Sequence, residues 1–182
     1  MQREPLGKIL MRLGLSKEIQ KTALVTNDRS VLNLNNDLKN CRNNREPEKA
    51  RGLLGRMKNK LCLKIPENVQ FVLECEASLD LMEGRISENE FVERMDESLR
   101  CTLKAEKIYD VDEVYLTEME MSCICNKAKE AGETGKRELI DFMLGFFEKF
   151  ENKDILSEFI SMYEFVMVSV TNELSSLGEY QL

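Results

Sequence analysis

Residues 134–150, TGKRELIDFMLGFFEKF, carry the clearest structural signal in this chain of 182 residues. The large apolar side chains of the segment recur every three or four residues, and they are Leu139, Phe142, Met143, Phe146, Phe147 and Phe150. Because an α-helix completes a turn every 3.6 residues, this spacing places them on one face of a helix. Thr134 is expected to cap this helix, since its hydroxyl can accept a hydrogen bond from a free backbone amide. The segment therefore predicts an amphipathic helix whose aromatic face packs against other elements.

The chain before this segment shows the same periodicity. We predict two short helices within residues 5–26. A further helix is predicted from apolar residues at helical spacing, which are Val31, Leu34, Leu38 and Cys41. A polar run over residues 40–46 predicts a loop after it. Pro47 and Pro66 each predict the first turn of another helix, because the missing N–H of proline costs no hydrogen bond there.

Other residues mark where further helices end and begin. Gly84 predicts a helix C-terminus, because glycine adopts the left-handed conformation found there without strain. Ser87 and Glu90 have the S-x-x-E spacing of a capping box, so a helix is predicted after them. Another helix is predicted from Asp110, and residues 155–174 are apolar on more than one face, which is typical of a central, most buried helix. About seven or eight helices with short connections predict an all-α fold, a compact bundle of mostly antiparallel helices.

The composition agrees with a folded protein of this class. Hydrophobic residues make up 42% of the chain and charged residues 32%, a mixture that can bury a core. No run of about 18 apolar residues occurs, so no membrane span is predicted. The six cysteines include no C-x-x-C pair, and no secretory signal is visible. We therefore predict an intracellular protein, cytoplasmic or nuclear, with reduced and mostly buried thiols.

The residue types that most enzymes use for catalysis are scarce. The chain has no histidine, which is the commonest general acid–base and the commonest transition-metal ligand. It also lacks the phosphate-binding loop, the dinucleotide-binding glycine pattern, the zinc-protease motif and the serine-hydrolase motif. We predict that the protein is not an enzyme and uses no metal, no cofactor and no small-molecule substrate.

Charge is distributed unevenly along the chain. Residues 1–64 contain 15 basic and 6 acidic residues, whereas residues 65–182 contain 11 basic and 27 acidic residues. We predict a basic N-terminal helical region over residues 1–64 and an acidic helical body over residues 65–182, packed as one unit. The candidate residues for binding a polyanion are Arg42, Arg45, Arg51, Arg56, Lys58 and Lys60.

Three interpretations of this charge split are open. The basic region binds nucleic acid or another polyanion. Alternatively it docks on the acidic body, within one chain or between copies, or on a protein partner. The third interpretation is that solvated helix faces simply differ in sign. Residues 1–64 contain no aromatic residue on which a single-stranded base could stack, and we favour self-association or a protein partner over nucleic acid.

Two sets of side chains have both a core and a groove interpretation. Phe142, Phe146, Phe147 and Phe150 form the aromatic stripe of residues 134–150, which lines a ligand groove or packs inside the protein. The ten methionines, which include Met119 and Met162, either fill the core or form an adaptable binding surface. Packing in the core is the commoner role for both sets, and it is the one we favour.

One part of the chain resembles a known module. Residues 52–61 are GLLGRMKNKL, residues 79–86 are LDLMEGRI, and residues 91–95 are FVERM, followed by Leu99. The order of these motifs over residues 52–99 resembles the TAF-homology domain of a TFIID coactivator subunit and of ETO-type corepressors. The resemblance implies a small all-α domain that binds short amphipathic peptides of transcription regulators in a hydrophobic groove.

The hypothesis that these features favour is a non-catalytic protein–protein interaction module, an adaptor or regulator, which the resemblance associates with transcription. One alternative is a nucleic-acid-associated factor that uses the basic residues 1–64. A second alternative is a helical effector, encoded by a virus or parasite, that imitates a host helical-bundle protein.

Overall fold

A computed structural model describes residues 24–103, 116–148 and 156–178, and within these ranges it contains seven α-helices and no strand. The helices are α1 (Arg29–Asn43), α2 (Pro47–Lys58), α3 (Pro66–Met82), α4 (Glu88–Arg100), α5 (Glu118–Glu130), α6 (Glu133–Glu148) and α7 (Leu156–Ser176). Each helix packs against the next in the chain, and α5 also packs against α7. The predicted all-α bundle is confirmed. No helix in the described ranges is long and apolar enough to cross a membrane.

Local sequence sets several helix ends, and those at Pro47, Pro66, Gly84 and Ser87 are as predicted. Asp28 caps α1, because its side chain accepts a hydrogen bond of 2.8 Å from the amide two residues later. Pro47 and Pro66 occupy the first turns of α2 and α3. Gly84 follows α3 with a φ of +67°, and Ser87 caps α4 by accepting a hydrogen bond of 3.2 Å from the amide three residues later. These contacts satisfy backbone groups that a helix end leaves free.

The predicted loop over residues 40–46 starts too early, because α1 continues to Asn43 and only residues 44–46 connect it to α2. Arg45 then takes a left-handed conformation, and the amide of Glu46 donates to the carbonyl of Cys41 at 2.9 Å. This hydrogen bond closes the end of α1 in the way that a glycine usually allows. The two short helices predicted within residues 5–26 fall almost wholly on residues 1–23, which lie outside the described residues.

Two helix starts differ from the predicted ones. Helix α5 begins at Glu118 rather than at Asp110, which lies outside the described residues. Thr117 accepts a hydrogen bond from the amide of Glu120, whose side chain accepts one from the amide of Thr117, so the two residues form a capping box. Helix α6 begins before Thr134, which lies inside its first turn instead of capping it.

Helix α3 has more buried residues than any other helix in the described ranges, whereas the sequence predicted the last helix as the most buried one. Helix α7 buries one stripe but exposes Phe165 at 47% and Val168 at 62%. Helix α3 is enclosed on several faces, and its buried residues are Asn68, Gln70, Phe71, Val72, Glu74, Cys75, Ala77 and Leu79. Its three polar members are tolerated because each has hydrogen-bond partners. The polar residues of α3 therefore made its burial hard to predict from the sequence, and the apolar residues of α7 led to a wrong prediction of complete burial.

We expect Leu54→Ala to lower the free energy of unfolding by about 2–5 kcal/mol, because it empties a buried position on α2. Urea denaturation followed by circular dichroism measures the loss. Leu63→Ala is the matched control, since Leu63 is exposed and its truncation should cost less than about 0.5 kcal/mol. Equal losses in the two variants would contradict the placement of Leu54 in the core.

Candidate functional site

The six cations predicted to bind a polyanion have different environments. Arg42 lies in the last turn of α1 and donates to both carboxylate oxygens of Glu74 on α3, at 2.9 and 2.6 Å. It also donates to the hydroxyl of Ser78 at 3.0 Å. Glu74 is only 2% exposed, so this two-pronged pair balances a carboxylate that has been removed from water. Arg42 therefore joins the end of α1 to the middle of α3.

Two candidates on α2 pair with acidic residues of the neighbouring helix α3. Arg51 donates to Asp80 at 2.8 Å and to a second carboxylate at the end of α3. Asp80 also accepts from Arg94 of α4 at 2.6 Å, so one carboxylate links three helices. Lys58 pairs with Glu76 at 2.5 Å. The basic helix α2 is thus bound to the acidic residues of α3 within one chain.

The remaining three candidates lie at the surface. Lys60 is 3.5 Å from the carboxylate of Asp28, in an exposed pair that contributes little to stability. Arg45 and Arg56 are exposed and form no ion pair with any described residue. Four of the six candidates are therefore engaged in ion pairs within the chain. Polyanion binding stays a prediction, and of the six candidates only Arg45 and Arg56 form no ion pair with a described residue.

A cleft of about 520 Å³ lies among α1, α3, α5 and α7. Its apolar lining is made by side chains of all four helices, which are Leu38, Phe71, Met119, Met162 and Phe165. Leu38, Phe71, Met119 and Met162 are buried, whereas Phe165 is half exposed. The volume lies in the range of protein sites that bind a ligand or a partner side chain.

One side of the cleft is polar. Arg42 and Glu74 line it, and Asn126 of α5 donates to Glu74 at 3.1 Å. Glu74 thus accepts hydrogen bonds from both Arg42 and Asn126, and these contacts link α1, α3 and α5 at the cleft. Asn35 also lines the cleft, is buried, and makes no hydrogen bond through its Oδ1 to any described residue. Lys39 lines it too, is exposed, and forms no ion pair in the described ranges.

The predicted aromatic groove does not coincide with this cleft. Phe146 and Phe147 are buried in the core, where their rings meet edge to face with centroids 5.2 Å apart. Phe147 makes a similar contact with Tyr163 of α7 at 5.1 Å. Phe142 is half buried against the same core, and Phe150 lies outside the described residues. The core interpretation therefore describes Phe146 and Phe147.

Sequence reasoning missed Asn35 and Phe165 as cleft residues. Asn35 is a polar residue on a helix face otherwise formed by Val31, Leu34 and Leu38, and such an interruption was the available signal. Phe165 belongs to a helix with more apolar positions than one buried stripe needs. That excess signals an exposed apolar surface as well as it signals complete burial.

The thiols are free, and the buried ones are poor nucleophiles. Burial raises the pKa of Cys125 to about 11 and also raises the pKa of Cys75 and Cys123 well above the ordinary value. These three side chains stay protonated at neutral pH, and the thiolate is the reactive form. Cys41 and Cys101 are half buried, and Cys62 is exposed. The prediction of mostly buried thiols therefore holds for three of the six.

No family model, curated protein or solved structure matches this chain. The resemblance of residues 52–99 to TAF-homology domains consequently stays a prediction.

We expect Arg42→Ala to lower the free energy of unfolding by about 3–5 kcal/mol, because it leaves the Glu74 carboxylate buried without its partner. Urea denaturation at pH 7 measures the change. The double variant Arg42→Leu with Glu74→Leu should recover most of the loss, since no charge then remains buried. Lys49→Ala, which breaks an exposed pair with Glu46, is the control and should leave the midpoint near that of the wild type. A mild effect of Arg42→Ala would contradict the buried pair.

We also expect Asp80 to make stability depend on pH. Partial burial favours its neutral form, but hydrogen bonds and charges from Arg51 and Arg94 outweigh this effect and lower the pKa of Asp80. Since the folded-state pKa lies below the unfolded value of about 4, the stabilisation is complete above that value. It is lost as pH falls through the folded-state pKa.

Asp80→Asn should therefore lower the urea midpoint at pH 7, and its difference from the wild type should shrink below about pH 4. Midpoints measured at pH values between 7 and 2 test this expectation. Asp37→Asn is the control, because Asp37 is exposed on α1 and forms no ion pair in the described ranges. A difference between Asp80→Asn and the wild type that stays constant with pH would show that Asp80 is not the titrating group.

Proposed function

We propose that this chain is a non-catalytic protein-interaction module that binds an amphipathic α-helix of a partner protein in the cleft among α1, α3, α5 and α7. The observation that carries the proposal is the apolar lining of the cleft, which extends to the half-exposed Phe165. Aromatic residues that remain partly exposed beside a buried apolar surface are typical of binding sites. A partner's apolar side chain would cover Phe165 and occupy the cleft.

The cleft suits a helix better than an extended peptide. Extended peptides commonly add a strand to the edge of a sheet, and the described part of the chain contains no sheet. An amphipathic helix instead places apolar side chains one turn apart into a hydrophobic groove. Met119 and Met162 in the lining favour this mode, because the flexible methionine side chain adapts to different partners.

Two charged side chains line the cleft beside the Arg42–Glu74 pair, Lys39 and Glu118, and Lys39 favours an acidic residue on the partner helix. Lys39 lies at the exposed edge and pairs with no carboxylate of the described residues, so an acidic residue of the partner would form an ion pair with it. Arg42 and Glu74 already neutralise each other and add no net charge. The same ion pairs weigh against the nucleic-acid alternative, since four of its six candidate cations are engaged within the chain.

The resemblance of residues 52–99 to TAF-homology domains supports the same class of partner, a short amphipathic peptide, and associates it with transcription regulators. The effector alternative concerns who encodes the chain and does not change the proposed binding mode. The same binding experiment tests the transcription-associated module and the virus- or parasite-encoded effector.

A displayed library of 16-residue amphipathic helices is the probe we would use. We expect selection on the wild type to enrich peptides that bind Ser122→Phe at least about tenfold more weakly, because phenylalanine at Ser122 fills the cleft. Ser175→Phe adds the same side chain at an exposed position of α7 that does not line the cleft, and it should bind as the wild type does. Circular dichroism and the urea midpoint would verify that both variants are folded.

Lys39→Glu is the second variant, and it avoids any disturbance of the core because Lys39 is exposed. It should weaken the binding of enriched peptides that carry acidic residues, and added salt should reduce the difference. Failure to enrich any peptide, or equal binding to the wild type and Ser122→Phe, would overturn the proposed function.

A further inference from the structure

Asn35 is the one polar residue among the buried positions of α1. The other buried residues of this helix are Val31, Leu34 and Leu38. Asn35 is 2% exposed, and its Oδ1 accepts no hydrogen bond from any described residue. An unsatisfied buried carboxamide opposes folding, and a leucine at this position would remove that cost.

Asn68 shows how a buried asparagine is normally accommodated in this protein. Its side chain accepts from the amide of Val25 at 2.9 Å and donates to the carbonyls of Val25 and Cys62 at 3.0 and 3.1 Å. Asn35 has no equivalent bonds, although it is just as enclosed. The difference between the two residues is that Asn35 lines the cleft.

We propose, on the basis of the function proposed above, that Asn35 determines the specificity of the cleft by selecting a partner helix with Asn or Gln beside its apolar anchor. A carboxamide carries one acceptor and a donating amide group, and a second carboxamide satisfies both at once. A hydroxyl can engage only one of the two at a time. A charged side chain would lose its hydration beside an apolar surface without gaining an opposite charge.

The neighbouring polar groups do not compete for this role. Arg42 and Asn126 both donate to Glu74, and Lys39 lies at the exposed edge. Asn35 is therefore the polar side chain of the cleft that is both buried and unengaged within the described residues. Because Asn35 is already buried and unpaired in the free protein, a partner with a carboxamide would gain hydrogen bonds here that a partner with an apolar side chain would not.

The first test is a double-mutant cycle on a peptide selected with the wild type. Replacing the Asn or Gln of the peptide by Leu should weaken binding to the wild type by roughly tenfold. Against Asn35→Leu the same replacement should have no cost or should improve binding. An absence of carboxamides at any position of the selected peptides, or an equal effect of the replacement on both proteins, would overturn the proposal. If the Asn35 proposal failed in this way but Ser122→Phe still weakened peptide binding, the proposed function would stand. Failure to select any peptide would overturn both the Asn35 proposal and the proposed function.

The second test needs no peptide. Asn35→Leu should raise the thermal unfolding midpoint of the free protein, because it removes an unsatisfied buried group. Asn68→Leu is the matched control and should lower the midpoint, since it removes three hydrogen bonds at an equally buried position. If Asn35→Leu lowered the midpoint as Asn68→Leu does, Asn35 would have a structural partner and the proposal would be wrong.

Discussion

The ion pair between Arg42 and Glu74 is the interaction on which the arrangement of this bundle depends. It crosses from the last turn of α1 to the middle of α3, and the amide of Asn126 extends it to α5. Three of the helices that line the cleft are thereby linked by side-chain hydrogen bonds. A carboxylate as enclosed as that of Glu74 is tolerated only with a cation held in place, so folding and the shape of the cleft share one requirement. The cleft is preorganised because the Arg42–Glu74 pair that stabilises the helices also sets the distance between them.

The all-α class and several helix ends could be predicted because they depend on residues close in sequence. The spacing of Val31, Leu34 and Leu38, the prolines at 47 and 66, and the cap at Ser87 act over one or two turns. Interactions of that range leave a periodic or positional trace in the chain. The fold class could therefore be inferred from the sequence alone.

The relative positions of the helices could not be predicted, because they depend on residues far apart in sequence. Arg42 and Glu74 are 32 positions apart, and nothing near either residue identifies its partner. Counted along the chain, Arg42 belongs to a basic surface; in the structure it neutralises a buried acid. The same limit applies to α7, whose apolar residues have no feature that separates those covered by α5 and α6 from those left in solvent. The cleft is lined by residues that are far apart in the sequence, and for that reason no sequence motif identifies it.

The exposed apolar edge of α7 has a consequence for how the molecules behave together in solution. Phe165 and Val168 form an exposed apolar surface that favours association between copies. The chain carries a net charge of −7 at neutral pH, however, so approaching copies repel one another. Three of the seven cations of α1 and α2 pair with acids of α3, which lowers the positive charge that could attract a neighbouring copy. This colloidal protection depends on pH and disappears near the isoelectric point of about 4.9. Mildly acidic conditions would thus allow the exposed apolar residues of α7 to drive aggregation.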